Sequence, residues 1–393
     1  MATLSTDPLP SPPLGTDPGP SQPLGTDPRN SSADGSAPRP SAYRLDLAQL
    51  GPNWYAAVMG TAIVANGSAA LPLHLPGLLG FGELVWLLSS AALALLVAGR
   101  AVHFLRHREA ARAQLLDNPA TAVFYGCPPM ALLAVGYGTL ALGSRLIGTA
   151  PAVAVDLVLW SVGTVYAIAV AAGIPYLMIT RHELSALKAN PTWLLPVVAP
   201  MVAAALGPAL VPHLPEPWRA AVLYGCYALF GASLLAVLAL LPVVLAGLVH
   251  SKLPALVLTP SLFLVLGPLG QSTTAVNQLA DAARLAAPPL AGAASAFAIL
   301  FGTAMTGFAL LWLGIAVAAN LRAWRAEMPF AMTWWAFTFP IGTMVTGSAG
   351  LARHTGFGGF TALAAALYLL LLAAWAVAGT RTVSGLAAGR LLR

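Results

Sequence analysis

The stretch PFAMTWWAFTFPIGTMVTGSAG, residues 329–350, is apolar enough to cross a membrane, yet Pro340 stands at its middle beside the aromatic side chain of Phe339. A proline inside a helix removes a backbone hydrogen bond and kinks or breaks the helix. In a lipid bilayer such a break is tolerated where neighbouring helices cover it or where it lines a wet cavity. The stretch therefore predicts a broken helix inside a bundle of other membrane helices.

The composition of the chain indicates that most of it lies in a membrane. Of the 393 residues, 58% are hydrophobic and 8% are charged, and the mean hydropathy is +0.78. A soluble protein carries roughly a quarter charged residues. Apolar segments of about 20 residues, the length of a spanning helix, recur ten times. Their approximate ranges are 53–73, 82–104, 120–142, 152–178, 192–212, 219–248, 255–279, 289–318, 331–351 and 358–379.

The first 42 residues differ from the rest of the chain. They are rich in Pro, Ser, Gly and Asp, and they contain Thr-Asp-Pro at Thr6, Thr16 and Thr26. Such a composition cannot bury a core, and it lacks the apolar region of a signal peptide. We predict a disordered cytoplasmic tail over 1–42, a ten-helix transmembrane domain over 43–380, and a short basic cytoplasmic C-terminus over 381–393.

Basic residues in the connections predict the orientation. Nine lie in the loops after even-numbered spans: Arg100, Arg106, Arg108, Arg112, Arg181, Lys188, Lys252, Arg322 and Arg325. Four lie in the loops after odd-numbered spans: Arg145, Arg219, Arg284 and Arg353. Because Lys and Arg are enriched on the cytoplasmic side of membrane proteins, we expect both termini to be cytoplasmic in the plasma (inner) membrane.

Helix-breaking residues lie well inside the odd spans, whereas the even spans are smoother. Those predicted to kink the odd helices and line a pore are Gly60, Pro128, Pro200, Gly267, Pro268 and Pro340. Prolines are common in membrane helices generally, but that does not explain the difference between odd and even spans. The pattern predicts an all-α membrane protein with five helical hairpins, in which kinked odd helices form a central pore inside an outer ring.

The polar residues of the odd spans favour anions. No Asp, Glu, Lys or Arg falls near the middle of an odd span, and a cation site would normally show itself as an acidic residue there. Hydroxyls and the free backbone N–H groups of broken helices favour an anion without a formal charge. The candidate hydroxyls are Thr61, Ser272, Thr338 and Thr343. The alternative for each is a bond to a carbonyl of its own helix.

Other classes of function lack a supporting pattern. The chain has no nucleophile elbow, no zinc-protease motif and no phosphate-binding loop, so we predict no enzyme and no cofactor. His103 and His107 have the spacing of a metal pair, but Arg106 and Arg108 surround them, which favours a basic helix end over a metal site. We therefore predict no metal. The basic residues follow the topology of the spans, so nucleic-acid binding is not predicted either.

Three segments resemble the tellurite-resistance/dicarboxylate transporter family, which includes malate permeases, sulfite efflux pumps and slow-type anion channels. They are NWYAAVMGTAIVANG (53–67), SLFLVLGPLGQSTTA (261–275) and WWAFTFPIG (334–342). The resemblance implies ten helices, five kinked ones around a central pore, and assembly as a homotrimer. It also implies that an aromatic residue of the ninth helix closes the pore, and Phe339 is the position that matches.

These observations together predict transport of anions across the lipid bilayer through a pore gated by Phe339. C4-dicarboxylates such as malate are the favoured cargo. The alternatives are a passive channel for chloride or nitrate, or efflux of sulfite or tellurite-related species. The chain lacks an obvious pair of charges for both carboxylates of malate, and the sequence does not tell which arginines face the pore.

The orientation is tested by two single-cysteine variants, His213→Cys and Arg108→Cys. An impermeant thiol reagent applied from outside intact cells should label position 213 and spare position 108, because only the first lies in a predicted external loop. Labelling in the opposite pattern would overturn the orientation.

Overall fold

The structure is a computed structural model that describes residues 49–73 and 75–391, so the predicted tail over 1–42 lies outside the described residues. The described residues are almost entirely helical and contain no strand. Ten α-helices of at least 12 residues are numbered here in chain order: α1 Tyr55–Ala70, α2 Leu78–Arg106, α3 Cys127–Gly138, α4 Thr149–Thr180, α5 Leu194–Leu206, α6 Glu216–Ser251, α7 Leu266–Ala286, α8 Ala291–Arg325, α9 Phe339–Thr355 and α10 Gly358–Ala387. The last helix continues past residue 380, the predicted limit of the transmembrane domain.

The even-numbered helices are long, continuous and exposed. They contain 29, 32, 36, 35 and 30 residues, and only 22% to 28% of their most apolar 18-residue windows is buried. Each presents large aliphatic side chains outward, for example Leu84, Val165, Leu235, Leu300 and Leu369. An apolar exterior of this kind is what a helix in contact with lipid requires. These five helices form the outer ring.

The odd-numbered helices are shorter, interrupted and buried. A 3₁₀ segment, Leu256–Val265, precedes α7, and another, Met332–Phe337, precedes α9. A π-helical turn, Thr139–Gly143, follows α3. The buried share reaches 94% in Pro191–His213 and 78% in Leu256–Ala286. The predicted all-α membrane fold, with an inner set of helices inside an outer ring, is confirmed.

Eight helical segments of the described chain are long and apolar enough to cross a membrane: Leu78–Arg106, Pro119–Ile147, Thr149–Thr180, Pro191–His213, Glu216–Ser251, Leu256–Ala286, Pro288–Arg325 and Gly358–Ala387. The two predicted spans outside this set contain α1 and α9, which have 16 and 17 residues. Both are mostly buried among the other helices. The count of ten spans stays a prediction.

The prolines of the inner helices lie mostly at helix starts. Pro340 and Pro268 stand in the first turns of α9 and α7, and Pro128 stands in the first turn of α3. Because the first N–H groups of a helix have no partner within it, proline costs little there. These residues therefore mark where an α-helix begins, whereas Pro200 lies in the interior of α5.

Side chains of the outer ring donate hydrogen bonds to the inner helices. The indole nitrogen of Trp312 on α8 lies 2.9 Å from the Leu262 carbonyl oxygen, in the 3₁₀ segment before α7. Trp160 on α4 donates to the Ala203 carbonyl at 3.0 Å, and the Ser233 hydroxyl on α6 donates to the Val197 carbonyl at 2.6 Å. These bonds hold the outer ring in register with the inner helices.

Glycines allow the inner helices to approach closely. A Cβ atom built on Gly270 of α7 would lie 2.5 Å from the backbone nitrogen of Met344 on α9. One built on Gly342 of α9 would lie 2.3 Å from Cγ1 of Ile63 on α1. Small residues at helix contacts are a common feature of membrane bundles, because they let backbones pack directly. Helices α1, α7 and α9 therefore pack more tightly than side chains at these positions would permit.

The close contact predicts that Gly270→Ala destabilises the protein by about 1–3 kcal/mol, because the added methyl group meets backbone atoms of α9 that cannot move aside. Gly267→Ala is the matched control, since a Cβ atom there has no neighbour within 4 Å. The measurement is the thermal unfolding midpoint of each purified variant. Equal midpoints for the two variants would contradict the packing account.

Candidate functional site

A polar cavity of about 310 Å³, here called the vestibule, lies where the inner helices end. Its walls come from the second half of α1 and the segment after it, from α3, from the last residue of α5, from α7, and from α9, including the first residue of α9, Phe339. The lining residues are Ile63, Asn66, Ala69, Ala70, Leu71, Pro72, Ala134, Tyr137, Leu206, Gln271, Thr274, Asn277, Gln278, Phe339, Thr346 and Arg353. Several of these are buried polar side chains, which a purely structural core would not need.

Hydrogen bonds to neighbouring helices fix the polar wall of the vestibule. The amide nitrogen of Asn66 donates to the Ala134 carbonyl at 3.0 Å, which joins α1 to α3. The hydroxyl oxygens of Thr274 and Thr346 lie 2.7 Å apart and join α7 to α9. Because buried polar groups are costly unless they are paired, these bonds favour one arrangement of the wall.

Arg353 is the one charged residue among the described residues that line the vestibule. It lies in the last turn of α9, and its Nη1 atom lies 3.4 Å from the Ala70 carbonyl oxygen at the end of α1. No Asp or Glu belongs to the lining. Apart from Arg353 at its rim, the wall is thus uncharged and contains both polar and apolar residues.

Phe339 lies between the vestibule and a smaller cavity. Its side chain is 3% exposed, and it lines both the vestibule and a second cavity of about 20 Å³, here called the middle cavity. The middle cavity is lined by Met59, Met130, Leu194, Leu195, Val198, Leu264, Gly267, Pro268, Phe339 and Pro340. A third cavity of about 20 Å³ adjoins Met59, Leu195 and Pro340 and lies among the first turns of the inner helices. The axis of the bundle is therefore a chain of cavities, with Phe339 between the large one and the small ones.

The backbone around Phe339 explains how the ring is placed there. The 3₁₀ segment ends at Phe337 and is followed by Thr338, whose hydroxyl donates to the Trp335 carbonyl at 2.7 Å. Helix α9 then begins at Phe339, and the Gly342 N–H closes its first bond to the Thr338 carbonyl at 2.9 Å. Trp335 anchors the segment to α10 by donating to the Thr382 hydroxyl at 3.0 Å. The aromatic ring thus extends from a firmly held turn.

Glycine at position 60 brings α1 against this same turn. A Cβ atom on Gly60 would lie 2.2 Å from the Thr338 hydroxyl oxygen and 2.8 Å from the Trp335 ring. Gly60 and Pro128 are not among the described residues that line the three central cavities. Gly267, Pro268 and Pro340 do line them, immediately beside Phe339.

The four candidate hydroxyls lie against backbone carbonyls. Thr61 donates to Ala57 at 2.8 Å, Ser272 to Leu269 at 2.9 Å, Thr338 to Trp335 at 2.7 Å and Thr343 to Pro340 at 2.7 Å. These bonds run to carbonyls three or four residues earlier, as expected for Ser and Thr in helices. None of the four belongs to the linings of the three central cavities among the described residues. Their contact with an anion stays a prediction.

Several polar residues that line the vestibule were not among the predicted site residues, namely Asn66, Asn277, Gln278 and Arg353. One signal was available in the sequence. Gln271, Thr274 and Gln278 have the spacing of one helix face, and a polar face within an apolar span indicates a buried polar cavity. Arg353 was counted only as a loop residue, because the sequence does not show that it lies at the rim of that cavity.

A larger cavity lies away from the axis. About 1100 Å³ opens between α4 and α6, over Pro200 of α5. Its lining is dominated by apolar residues such as Leu157, Val197 and Leu229. This groove lies outside the inner helices and does not connect the polar groups described above. Pro200, predicted to line the pore, lines this groove instead.

Comparison with known proteins gives the family. A family model described as "voltage-dependent anion channel" (SLAC1) matches residues 49–383. The chain belongs to this family. A sulfite efflux pump of Arthroderma otae is 28% identical over 353 residues, which cover 86% of this chain and 91% of that protein. An uncharacterized transporter of Methanocaldococcus jannaschii is 26% identical over 344 residues, which cover 87% of this chain and 95% of that protein.

Family membership confirms the resemblance drawn from residues 53–67, 261–275 and 334–342. The family consists of transporters and channels, so the chain is an anion-transport protein of membranes. Phe339 and the vestibule lie within the matched range.

Proposed function

We propose that the chain passes small anions along the axis of the inner helices, and that the Phe339 ring is the gate. The observation that carries the proposal is the position of this ring between a polar cavity of about 310 Å³ and an apolar one of about 20 Å³. A void as small as the second barely holds one water molecule. With the ring in its present position, the path is closed on the side of the middle cavity.

Opening of the gate is limited by the space around the ring. An engineered cavity of about 150 Å³ in another protein accommodates benzene. By that comparison the vestibule has room for the Phe339 ring, and the middle cavity does not. The ring therefore opens by rotating toward the vestibule, or by a movement of α9 that widens both spaces. Its electropositive edge can lie beside a passing anion without strong repulsion.

The polar groups along the path favour anions over cations. The described lining of the three central cavities contains Arg353 and no carboxylate. The cavity at the other end lies among the first turns of the inner helices, where helix dipoles place partial positive charge. Neutral amides and hydroxyls elsewhere on the wall bind weakly, which allows an anion to leave.

The cargo is proposed from two classes, C4-dicarboxylates and small oxyanions. C4-dicarboxylates such as malate are favoured by the sequence motifs, whereas relatives such as that of Arthroderma otae are named sulfite efflux pumps. The lining offers one cation rather than a pair, and this observation favours a small oxyanion such as sulfite over a doubly charged dicarboxylate. We propose sulfite-like oxyanions as the first cargo to examine and malate as the second. Tellurite-related species belong to the same chemical class.

We also propose that the chain works as a homotrimer in the plasma (inner) membrane with both termini in the cytoplasm. The trimer follows from the family resemblance, and the orientation follows from the distribution of Lys and Arg between loops. In this orientation the vestibule opens to the outside, since it lies at the ends of helices that begin on the cytoplasmic side.

Phe339→Ala tests the gate. In proteoliposomes the variant should increase anion flux by about tenfold or more, equivalent to about 1.4 kcal/mol or more of barrier, because the ring that closes the path is gone. Phe337→Ala is the matched control, since Phe337 packs against Phe263 with ring centroids 4.9 Å apart and lines none of the three central cavities. Flux should be measured separately for chloride, sulfite and malate.

The proposal fails if a well-folded Phe339→Ala protein carries no more anion than the wild type. It also fails if Phe337→Ala increases flux equally, because the effect would then reflect general loosening of the bundle.

A further inference from the structure

We propose that Arg353 makes the vestibule a filter for singly charged oxyanions, which admits one negative charge and rejects two. The inference rests on the proposed function and assigns a specificity-determining role to a residue of its pathway. For sulfite the permitted form would be hydrogensulfite, and for a dicarboxylate it would be the half-protonated monoanion.

Asp281 on α7 carries a negative charge near this rim, and its direct ion pairs are with other residues than Arg353. His354 Nε2 lies 2.9 Å from Asp281 Oδ1, and Arg284 Nη2 lies 3.7 Å from the same oxygen. Arg353 interacts with Asp281 electrostatically, but the ion pairs of the described residues do not include Arg353. Asp281, shared with His354 and Arg284, therefore balances the charge of Arg353 only in part, and that charge remains available to an anion in the cavity.

Helix α1 ends at the wall of the vestibule, at Ala70, whereas α3 and α5 continue past it as a π-helical turn and a 3₁₀ segment. Unpaired carbonyl groups give a helix C-terminus about half a negative charge, so the end of α1 by itself repels anions. Arg353 counters this end directly, since its Nη1 atom lies 3.4 Å from the Ala70 carbonyl oxygen.

The other polar side chains of the wall carry no charge. The amide nitrogens of Asn66 and Asn277 already donate to the carbonyls of Ala134 and Thr273, at 3.0 Å and 2.8 Å. These side chains therefore provide polarity but no additional positive charge. A second negative charge on the cargo would be left without a partner in the part of the vestibule away from solvent, which is costly.

The volume of the vestibule does not select among small anions. A cavity of about 310 Å³ is far larger than one ion stripped of water requires, so the wall does not select by close fit. Charge is then the property on which the site discriminates. A tetrahedral or pyramidal oxyanion with one charge fits both the volume and the single guanidinium, which also forms paired hydrogen bonds with oxyanions.

The test compares methanesulfonate, which is always singly charged near neutral pH, with sulfate, which is doubly charged. Tracer uptake is measured in proteoliposomes of the full chain, with the membrane potential held at zero by potassium and valinomycin. The wild type should take up methanesulfonate at least about tenfold faster than sulfate. Arg353→Gln should slow methanesulfonate about tenfold, while Arg353→Lys should retain most of the uptake, because lysine keeps the charge.

A gain-of-function variant protects the test against misfolding. Gln278→Arg places a second cation in the wall of the vestibule, and it should raise sulfate uptake about tenfold. Leu285→Arg is the matched control, because it adds the same charge to an exposed position of α7 outside the lining. It should leave the ratio of the two anions unchanged.

The outcomes separate the two proposals. Uptake of both anions at equal rates by the wild type would overturn the filter and leave anion transport intact. If neither Arg353→Gln nor Gln278→Arg changed the preference for methanesulfonate over sulfate, the filter would also be overturned and anion transport would stand. Absence of any uptake in the wild type and in Phe339→Ala would overturn the proposed function together with the filter.

Discussion

The interrupted inner helices depend on an outer ring that keeps lipid away from their backbone. Hydrocarbon cannot satisfy an open N–H or C=O group, so irregular backbone at membrane depth must be covered by protein or water. Here the continuous helices supply the cover and some of the hydrogen bonds. Trp312 and Trp160 donate to inner carbonyls, and Trp86 on α2 donates to the Thr139 hydroxyl at 3.1 Å, beside the π-helical turn. The outer helices thus satisfy and cover part of the irregular backbone that surrounds the central cavities.

The same constraint places the Phe339 ring, the proposed gate. Close contacts at Gly60, Gly270 and Gly342 bring α1, α7 and α9 together around the turn that carries Phe339. The turn is held by backbone and indole hydrogen bonds, whereas the ring itself is bordered by empty space on the vestibule side. The proposed gate therefore consists of a firmly held turn and one aromatic side chain with space beside it. In the proposed function, opening depends on that space as much as on the ring.

The sequence predicts the architecture well because buried inner helices and exposed outer helices differ in their amino-acid composition. Helix breakers are concentrated in the inner helices, and this pattern, together with the motifs at 261–275 and 334–342, leads to the right fold and family. It does not tell whether Pro340 kinks a helix or begins one, since that depends on the 3₁₀ segment before it. It also does not place Arg353 at the vestibule, because a rim residue and a loop residue look alike in sequence. Thr61 and Ser272 are polar in the sequence, but their hydroxyls lie against carbonyls.

The central claim is that the Phe339 ring separates two spaces along one anion path. It is tested most directly by cysteine accessibility, in a protein whose Cys127 and Cys226 are replaced by alanine. Asn66→Cys places a thiol in the vestibule, and Met59→Cys places one in the middle cavity. A small anionic thiol reagent applied from the vestibule side should modify position 66 readily, and should modify position 59 about tenfold faster or more once Phe339→Ala is added. Equal modification of position 59 with and without the ring would contradict the account.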